Sequence, residues 1–456
     1  MKTPVLATSL TLMLAASAAM ADIVVPEVSG VTIRQSSDTR KIIVTYTLAN
    51  APAIVIVDIC TNGVTIGDEN LHYFTGDCNK VAQPGANKCV HWQSTRSWPG
   101  HEIIGNNVTA KVYAWPLDNP PDYMVADLTA QNAVNYYTST NALPDGGLTN
   151  DVYRTDRIVM RRIHAAGVTF TMGAEELATT DPQYTNEIPH QAQIDHDYYM
   201  SVFELTGGQY IGVCGTNSPA VVPWVYANGS FYADGKVRPV INLNYNRLRG
   251  QSAHYPNAPE SSSVLGKLRS KTGAAFDLPG DAEWEYACRA GTTSGQWNDG
   301  SAEKGNYRKW GTDVSGTRYD NDANLANLAR FSKNGGQDYA DHPTWGGHPA
   351  WSAGLDKATA KVGSYLPNAW GLYDMHGNAM ELCLDFFKAN ITDDNGAINT
   401  MDNGEATHVT RGGSYQCGPI SCRSASRGAR SAAFTSSELR QSDGGCRLVV
   451  RIGGAQ

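Results

Sequence analysis

The sequence is short of charge, and it has no basic stretch and no long apolar run beyond its first residues. Charged residues make up 18% of the chain, and the formal net charge of −8 is spread along its 456 residues. Because nucleic-acid-binding proteins concentrate Lys and Arg on one surface, we expect no nucleic-acid partner. No apolar stretch after Asp22 is long enough to span a bilayer, so we expect no membrane span. The sequence also lacks a P-loop and a Gly-x-Ser-x-Gly motif, which argues against the enzymes that depend on them.

The first residues form a signal-peptide pattern. A short start with one lysine precedes an apolar run that ends in Ala19-Met20-Ala21, the small-x-small form that signal peptidase cuts. We therefore predict a signal peptide over residues 1–21 and a mature chain that begins at Asp22. The protein is expected to be secreted, periplasmic or displayed at the cell surface.

The number of cysteines is informative. All nine lie in the predicted mature chain: Cys60, Cys78, Cys89, Cys214, Cys288, Cys383, Cys417, Cys422 and Cys446. An oxidising compartment favours disulfides between close cysteines. Because nine is odd, at least one thiol must stay free, bind a metal or pair with another chain.

The first part of the mature chain has the pattern of a small all-β domain. Over residues 22–117, short runs of alternating apolar residues such as 42–48 and 108–115 are separated by turn signals, among them Asn62-Gly63. This spacing predicts a β-sandwich of immunoglobulin or fibronectin type. Proline and glycine clusters then break the pattern, so residues 118–150 are predicted to be a linker.

The second predicted domain, residues 151–453, is rich in turns and has one clear helix signal at 278–291. Its charged residues are predicted to be structural. Glu283 and Glu285 lie at the start of that helix, where the helix dipole favours acidic side chains. The arginines at the end of the domain are expected to be solvated loop residues rather than the lining of a groove: Arg423, Arg427 and Arg430.

Several motifs of the second domain follow one another in a familiar order. The helix segment carries Leu278-Pro279-Gly280-Asp281-Ala282-Glu283-Trp284-Glu285-Tyr286. The other landmarks are Ala166-Gly167-Val168-Thr169-Phe170, Glu204-Leu205-Thr206, Asn368-Ala369-Trp370-Gly371-Leu372-Tyr373-Asp374, Gly377-Asn378, Arg411-Gly412-Gly413-Ser414 and Gly445-Cys446-Arg447. Together they resemble the formylglycine-generating enzyme, or sulfatase-modifying factor, family over residues 150–452.

The resemblance implies an α+β fold with a C-type-lectin-like core, much irregular structure and structural calcium. By similarity, one calcium ion would be held by the side chains of Asp374 and Glu381 and by backbone oxygens of Gly377 and Ala379. Calcium prefers oxygen ligands, and it would help to hold a loop-rich domain in one conformation.

The resemblance also implies a catalytic site. Cys417 and Cys422 have the position and the C-x4-C spacing of the family's catalytic pair, which binds Cu(I) through sulfur. Ser414 would assist at the same site. The substrate would be a protein or peptide whose cysteine is converted to formylglycine, so the implied activity is that of a copper-dependent oxidoreductase.

The same cysteines have a structural interpretation. In an exported protein Cys422 could form a disulfide with Cys288, and Cys417 could pair with Cys446. The sequence does not decide between these pairings and a copper site.

Three departures from the active family pattern favour an alternative function. A Trp that lines the family's active site is Met380 here, the Tyr before the second cysteine is Ser421, and the polar residue after the first cysteine is Gly418. The alternative is a catalytically silent, lectin-like module of the same fold that binds a protein or glycan ligand.

Overall fold

The computed structural model of the protein describes residues 24–37, 40–101, 107–174, 186–215, 235–293, 297–298, 323–332, 334, 359–389, 391, 395–400, 407–432 and 443–453. The predicted signal peptide lies outside these residues. The described chain mixes strands and helices, as expected for the α+β class. It is rich in β-sheet, and its longest helices have nine residues. None of the described helices is both long enough and apolar enough to cross a membrane.

Two sheets make up the N-terminal part of the chain. Their strands are β1 (Glu27–Gln35), β2 (Ile42–Ala49), β3 (Ala53–Thr61), β4 (Val64–Thr65), β5 (Phe74–Gly76), β6 (Lys80–Ala82), β7 (Gly85–Trp92) and β8 (Val108–Trp115), with helix α1 (Ser94–Ser97) after β7. The first sheet has the order β1-β2-β7-β5, and in the second β3 pairs with β4, β6 and β8. Alternate side chains of both sheets form one buried apolar cluster, which includes Val44, Val57 and Trp92.

The hairpin between β3 and β4 confirms the predicted Asn62-Gly63 turn. Thr61 pairs with Val64, so the loop has two residues. Asn62 has φ 51° and Gly63 has φ 81°. Both values lie in the left-handed region that a two-residue turn of this kind requires and that Asn and Gly tolerate best.

The C-terminal part contains four further sheets. Its strands are β9 (Tyr123–Asp127), β10 (Val134–Tyr137), β11 (Arg157–Ile163), β12 (Val168–Met172), β13 (His190–Ile194), β14 (Tyr198–Ser201), β15 (Ala329–Arg330), β16 (His376–Gly377), β17 (Met380–Phe386), β18 (Thr407–Arg411), β19 (Gly428–Ser431), β20 (Gly444–Gly445) and β21 (Val449–Arg451). The sheets have the orders β10-β9-β11-β14-β21, β12-β13, β15-β16 and β19-β18-β17-β20.

The segment that was predicted to be a linker contributes two of these strands. β9 pairs with β11, and β10 pairs with β9, so both belong to the five-stranded sheet. The same segment contacts the N-terminal sheets, because Tyr136 N donates to Asn79 O at 2.7 Å. Residues 118–150 therefore join the two parts of the chain through regular hydrogen bonding.

Short helices pack against the C-terminal sheets. They are α2 (Val152–Thr155), α3 (Gly207–Cys214), α4 (Tyr245–Arg249), α5 (Val264–Thr272), α6 (Asp281–Arg289) and α7 (Ala323–Leu328). The largest apolar cluster combines side chains of the five-stranded sheet, of α4 and α5, and of β17, including Met160, Leu248, Leu265 and Leu384. This core fixes β17 and the loops that follow β18.

Helix α6 confirms the predicted helix, and its acidic residues are structural. Glu283 Oε2 accepts a hydrogen bond from Gly280 N at 2.7 Å at the helix start and an ion pair from Arg451 at 2.6 Å. Glu285 is fully buried between Arg289 at 2.6 Å and Arg411 at 2.9 Å. Because every carboxylate oxygen faces a donor, these acids hold the fold together and leave no free base for catalysis.

The expectation of solvated arginines is wrong for Arg423 and Arg427. Arg423 pairs with Glu187 at 2.8 Å, and Arg427 pairs with Asp281 at 2.7 Å, and all four side chains are buried. Each partner lies more than a hundred positions earlier in the sequence, so no local pattern around the arginines indicates it. The guanidinium groups form part of the domain's interior, where a charge requires a partner.

Candidate active site

The site is built on a tight turn at the end of β18. Gly412 and Gly413 both have positive φ, 82° and 67°. Gly412 O accepts from Gly377 N at 2.7 Å, and Tyr415 N donates to Asn378 O at 2.9 Å. The turn is thereby held against the segment that connects β16 and β17.

Cys417 and Cys422 follow this turn and share one buried environment. Cys417 is 9% exposed, and Cys422, at the end of the short 3-10 helix Pro419–Cys422, is fully buried. Both belong to one apolar cluster with Met380. Its other buried members are Trp297, Leu325, Leu328, Ala329 and Phe331. Met380, which stands where the family has Trp, thus forms part of the wall around both thiols.

Both thiols are shifted toward the protonated form. Burial raises the pKa of Cys417 to about 11, and the carboxylate of Asp443 adds to the shift. Burial and the neighbouring Cys417 raise the pKa of Cys422. The two thiols are therefore neutral at pH 7, and a metal that binds them must displace their protons. Such a dry, sulfur-rich site suits a soft ion such as Cu(I) better than a strongly hydrated one.

Ser414 links the cysteine pair to a buried carboxylate. Ser414 Oγ donates to Asp443 Oδ2 at 2.5 Å and lies 3.4 Å from Cys417 Sγ. Arg430 lies 3.7 Å from the other oxygen of Asp443. The structure thus brings together the three predicted catalytic residues. It adds Asp443, which the sequence analysis missed although it stands directly before Gly444 and the Gly445-Cys446-Arg447 motif.

His376 fixes the backbone of the second cysteine. Its Nε2 accepts from Asn298 N at 3.2 Å, so Nδ1 carries the proton and donates to Cys422 O at 2.7 Å. His376 is 1% exposed. This imidazole is a neutral support for the Cys422 loop, since both ring nitrogens are engaged by the protein.

The proposed disulfide pairings are not formed. All nine cysteines lie in the described part of the chain, and each is a free thiol. Cys288 contacts Ser424 Oγ at 3.5 Å, and its side chain belongs to a different apolar cluster from that of Cys422. Cys446 lies in the large core cluster. The structure therefore leaves Cys417 and Cys422 as a pair of thiols without a disulfide partner.

The predicted calcium ligands lie on the segment before β17. Asp374 Oδ2 accepts from Gly363 N at 2.6 Å, while its Oδ1 is buried and has no hydrogen-bond partner among the described residues. Glu381 is instead committed to Arg447 at 2.8 Å and to Trp284 Nε1 at 2.5 Å. Gly377 N is bonded to Gly412 O, and Ala379 N donates to Glu204 Oε1 at 2.7 Å. Asp374 thus offers a free oxygen to a cation, and Glu381 does not.

Glu204 brings a third carboxylate to this region. Burial raises the pKa of Glu204, and the nearby Asp374 and Glu381 raise it further. Burial likewise raises the pKa of Asp374 to about 6, although the amide of Gly363 and Arg447 oppose the shift. Arg447 alone does not balance three acids, so the cluster suits a bound cation. In the described part of the chain no three His, Cys, Asp or Glu side chains converge as a metal site, and backbone oxygens would have to complete the ligand set.

Comparisons with known proteins agree with these features. A sequence model of the sulfatase-modifying factor enzyme 1-like domain matches residues 154–452. The chain is 25% identical over 285 residues to the formylglycine-generating enzyme of Bos taurus, covering 56% of this chain and 66% of that protein. It is 30% identical over 148 residues to the formylglycine-generating enzyme of Streptomyces coelicolor, covering 32% and 38%. The chain therefore spans just under two thirds of the bovine relative and less of the bacterial one.

Solved structures were also compared. PvdO from Pseudomonas aeruginosa aligns with a TM-score of 0.45 and 19% identity, over 64% of this chain and 94% of that one. Treponema denticola variable protein 1 aligns with a TM-score of 0.44 and 21% identity, over 65% of this chain and 95% of that one.

Proposed function

Because the chain belongs to the sulfatase-modifying factor enzyme family, we propose that its C-terminal domain is a copper-dependent oxidase that converts a substrate cysteine to formylglycine. One observation carries the proposal: Cys417 and Cys422 are free, buried thiols in one apolar cluster, with Ser414 beside Cys417. Two such thiols form a soft ligand pair that a structural disulfide does not provide.

The protein's own residues would prepare and shield this site. Cys417 and Cys422 would hold Cu(I), which when bound supplies the chemistry that activates oxygen toward the substrate cysteine. Ser414, held by its 2.5 Å hydrogen bond to Asp443, keeps its oxygen directed at Cys417. Met380 and its apolar neighbours exclude water from the sulfur atoms, which strengthens electrostatic interactions there. The substrate class is an extended peptide that carries a cysteine, such as a segment of a sulfatase.

A copper titration tests the proposal. The chain without its first 21 residues is titrated with Cu(I) under reducing conditions, together with the variants Cys417→Ser and Cys422→Ser. The matched control is Cys288→Ser, because Cys288 is equally buried but lies in another cluster. We expect stoichiometric copper binding in the wild type and the control, and its loss in the two site variants.

A peptide assay then tests the reaction. A cysteine-containing peptide is incubated with the copper-loaded protein and oxygen, and mass spectrometry measures conversion of its cysteine to an aldehyde. Copper binding without conversion would restrict the proposal to metal binding. Absence of copper binding, or a disulfide at Cys417 or Cys422 in the isolated protein, would contradict it.

A second candidate function is a catalytically silent, lectin-like module that recognises a protein or glycan. The specific observation in its favour is the wall beside the thiols, where Met380 replaces the aromatic ring of active members. Met packs flexibly and gives a less defined surface than Trp. Glycan-array binding by a protein that takes up no copper would support this function.

We further propose the features that the family and the sequence imply for the rest of the chain. These are export through the signal peptide, an immunoglobulin-like or fibronectin-like sandwich over residues 22–117, and a C-type-lectin-like core over residues 151–453. Calcium would be held by Asp374 and nearby backbone oxygens, where it would balance the buried acids. A rise in the thermal midpoint with calcium, absent in Asp374→Asn, is the expected result.

A further inference from the structure

A cleft of about 280 Å³ lies on the outer face of the second N-terminal sheet, and the described residues that line it fall between positions 56 and 142. Ile56 of β3 pairs with Tyr113 of β8, and these opposite residues of antiparallel strands point to the same face. The alternate residues Val55 and Val57 face the apolar core between the two sheets. The cleft is therefore separate from that core and from the cysteine pair.

Four aromatic side chains line the cleft. Tyr113 and Trp115 come from β8, Phe74 from β5 and Tyr137 from the end of β10. Tyr113 is 46% exposed, so its ring is open to a ligand from solvent. The faces of aromatic rings carry negative electrostatic potential and attract cations.

Two carboxylates, Asp58 and Asp68, add negative charge to the same cleft. Asp58 accepts from Thr65 Oγ1 at 2.7 Å, and Asp68 accepts from Ser139 Oγ at 2.6 Å and from Thr138 Oγ1 at 3.1 Å. These donors are neutral and leave the carboxylate charges in place. No Lys, Arg or His is among the described residues that line the cleft.

The wall opposite the sheet is held in position. It consists of residues 137–142, and the bonds from Thr138 and Ser139 to Asp68 fasten its beginning. At its end, Ala142 O lies 3.2 Å from His72 Nδ1. A cleft fixed by such contacts exists before a ligand arrives, so a ligand need not supply the cost of forming it.

We propose that this cleft binds a small organic cation that carries an alkylammonium or quaternary ammonium group. Aromatic walls would surround the apolar substituents of the cation, and Asp58 and Asp68 would balance its charge. The cleft is slightly smaller than most ligand pockets, which suits a compact head group rather than an oligomer. The N-terminal part of the chain is then a recognition module, whatever chemistry the C-terminal domain performs.

Isothermal titration with choline tests the proposal on the full chain. The neutral isostere 3,3-dimethylbutan-1-ol has the same shape without the charge, and glucose and N-acetylglucosamine represent ligands that stack on aromatic rings without being cations. We expect choline to bind and the neutral compounds to bind at least about tenfold more weakly. Tyr113→Ala and Asp58→Asn should each raise the dissociation constant of choline by about tenfold.

The matched control is Glu69→Gln, which removes the same charge one position from Asp68 but outside the cleft. It should leave choline binding unchanged. Tyr113 is partly exposed and Asp58→Asn is nearly isosteric, so both variants are expected to fold, which circular dichroism checks. Equal binding of choline and its neutral isostere, binding of a sugar instead, no binding at all, or binding that neither variant weakens would overturn the proposal.

Discussion

Gly413 allows the chain to approach the second cysteine closely. A Cβ at this position would lie 2.7 Å from Ser421 O and 2.9 Å from Cys422 Sγ, and the φ of 67° disfavours any other residue. Gly413→Ala is therefore expected to lower the free energy of unfolding by about 1–3 kcal/mol and to displace Cys422. Urea denaturation measures the first effect, and Cu(I) titration measures the second.

Gly418 provides the control in the same loop. A Cβ there would meet nothing within 4 Å, and the backbone φ is −75°. Gly418→Ala should leave stability and copper binding close to those of the wild type. Similar losses in both variants would show that the loop tolerates no change at all, and that the close approach at Gly413 has no special part.

His408 is a buried, neutral histidine. Its ring is stacked on Tyr245 with centroids 3.5 Å apart, and Nδ1 donates to Leu384 O at 3.0 Å. Burial lowers the pKa of His408 to about 4, and the nearby His254 lowers it further against the effect of the Leu384 carbonyl. The unfolded chain binds this proton near pH 6.5. Stability is therefore fully present above pH 6.5 and is lost as the pH falls from 6.5 to 4.

The variant His408→Gln removes this titration. Between pH 6.5 and 4, the free energy of unfolding of the wild type should fall more steeply than that of the variant, by up to about 1.4 kcal/mol per pH unit. Urea denaturation at a series of pH values gives both slopes. Parallel curves over this window would mean that His408 takes up its proton equally well in the folded protein.

Glycines within two helices make a contrasting pair at the level of elements. In α3, a Cβ on the exposed Gly212 would lie 3.5 Å from Leu128, an ordinary contact. In α5, a Cβ on the buried Gly266 would lie 2.0 Å from Glu260 O. Gly212→Ala should raise the free energy of unfolding by about 0.5–1 kcal/mol because Ala favours helix, whereas Gly266→Ala should lower it by about 1–3 kcal/mol.

Thermal and urea denaturation of the two variants check this pair. Because both changes add the same methyl group in a helix, a difference of sign isolates the effect of the surrounding space. If both variants gained stability, the loop before α5 would have to move aside at little cost.

Elements with local signals were predictable from the sequence. The β3–β4 hairpin depends on Asn62-Gly63, and α6 depends on the acidic first turn after Gly280, and both occur where the sequence places them. β9 and β10 were not predicted, because their pairing with β11 is a contact between distant residues and proline-rich sequence precedes them. Local patterns do not record such partners.

The candidate site divides in the same way. Ser414, Cys417 and Cys422 lie within nine positions, so the sequence motif contains them all. Asp443 follows Ser414 by 29 positions, and only the fold brings it to hydrogen-bonding distance. Trp297, from a still more distant segment, reaches the thiols through the shared apolar cluster.

At the scale of the whole molecule, Arg447 connects three distant segments. It pairs with Glu381 of β17 at 2.8 Å and donates to Ser201 O of β14 at 2.8 Å and to Tyr373 O at 2.7 Å. Arg447→Met would leave Glu381 buried without compensation, beside Asp374 and Glu204. Removal of one partner of a buried pair typically costs about 3–5 kcal/mol of unfolding free energy, and we expect a loss in that range by urea denaturation.

The double variant Arg447→Met, Glu381→Gln separates lost charge compensation from lost packing. The glutamine side chain would be neutral and would still offer an oxygen to Trp284 Nε1, so this position would no longer carry a buried charge without a partner. The double variant should therefore be more stable than Arg447→Met, with a chelator present so that a bound cation does not take the place of the arginine. If adding Glu381→Gln lowered stability further, the backbone bonds of Arg447 rather than its charge would hold these segments together.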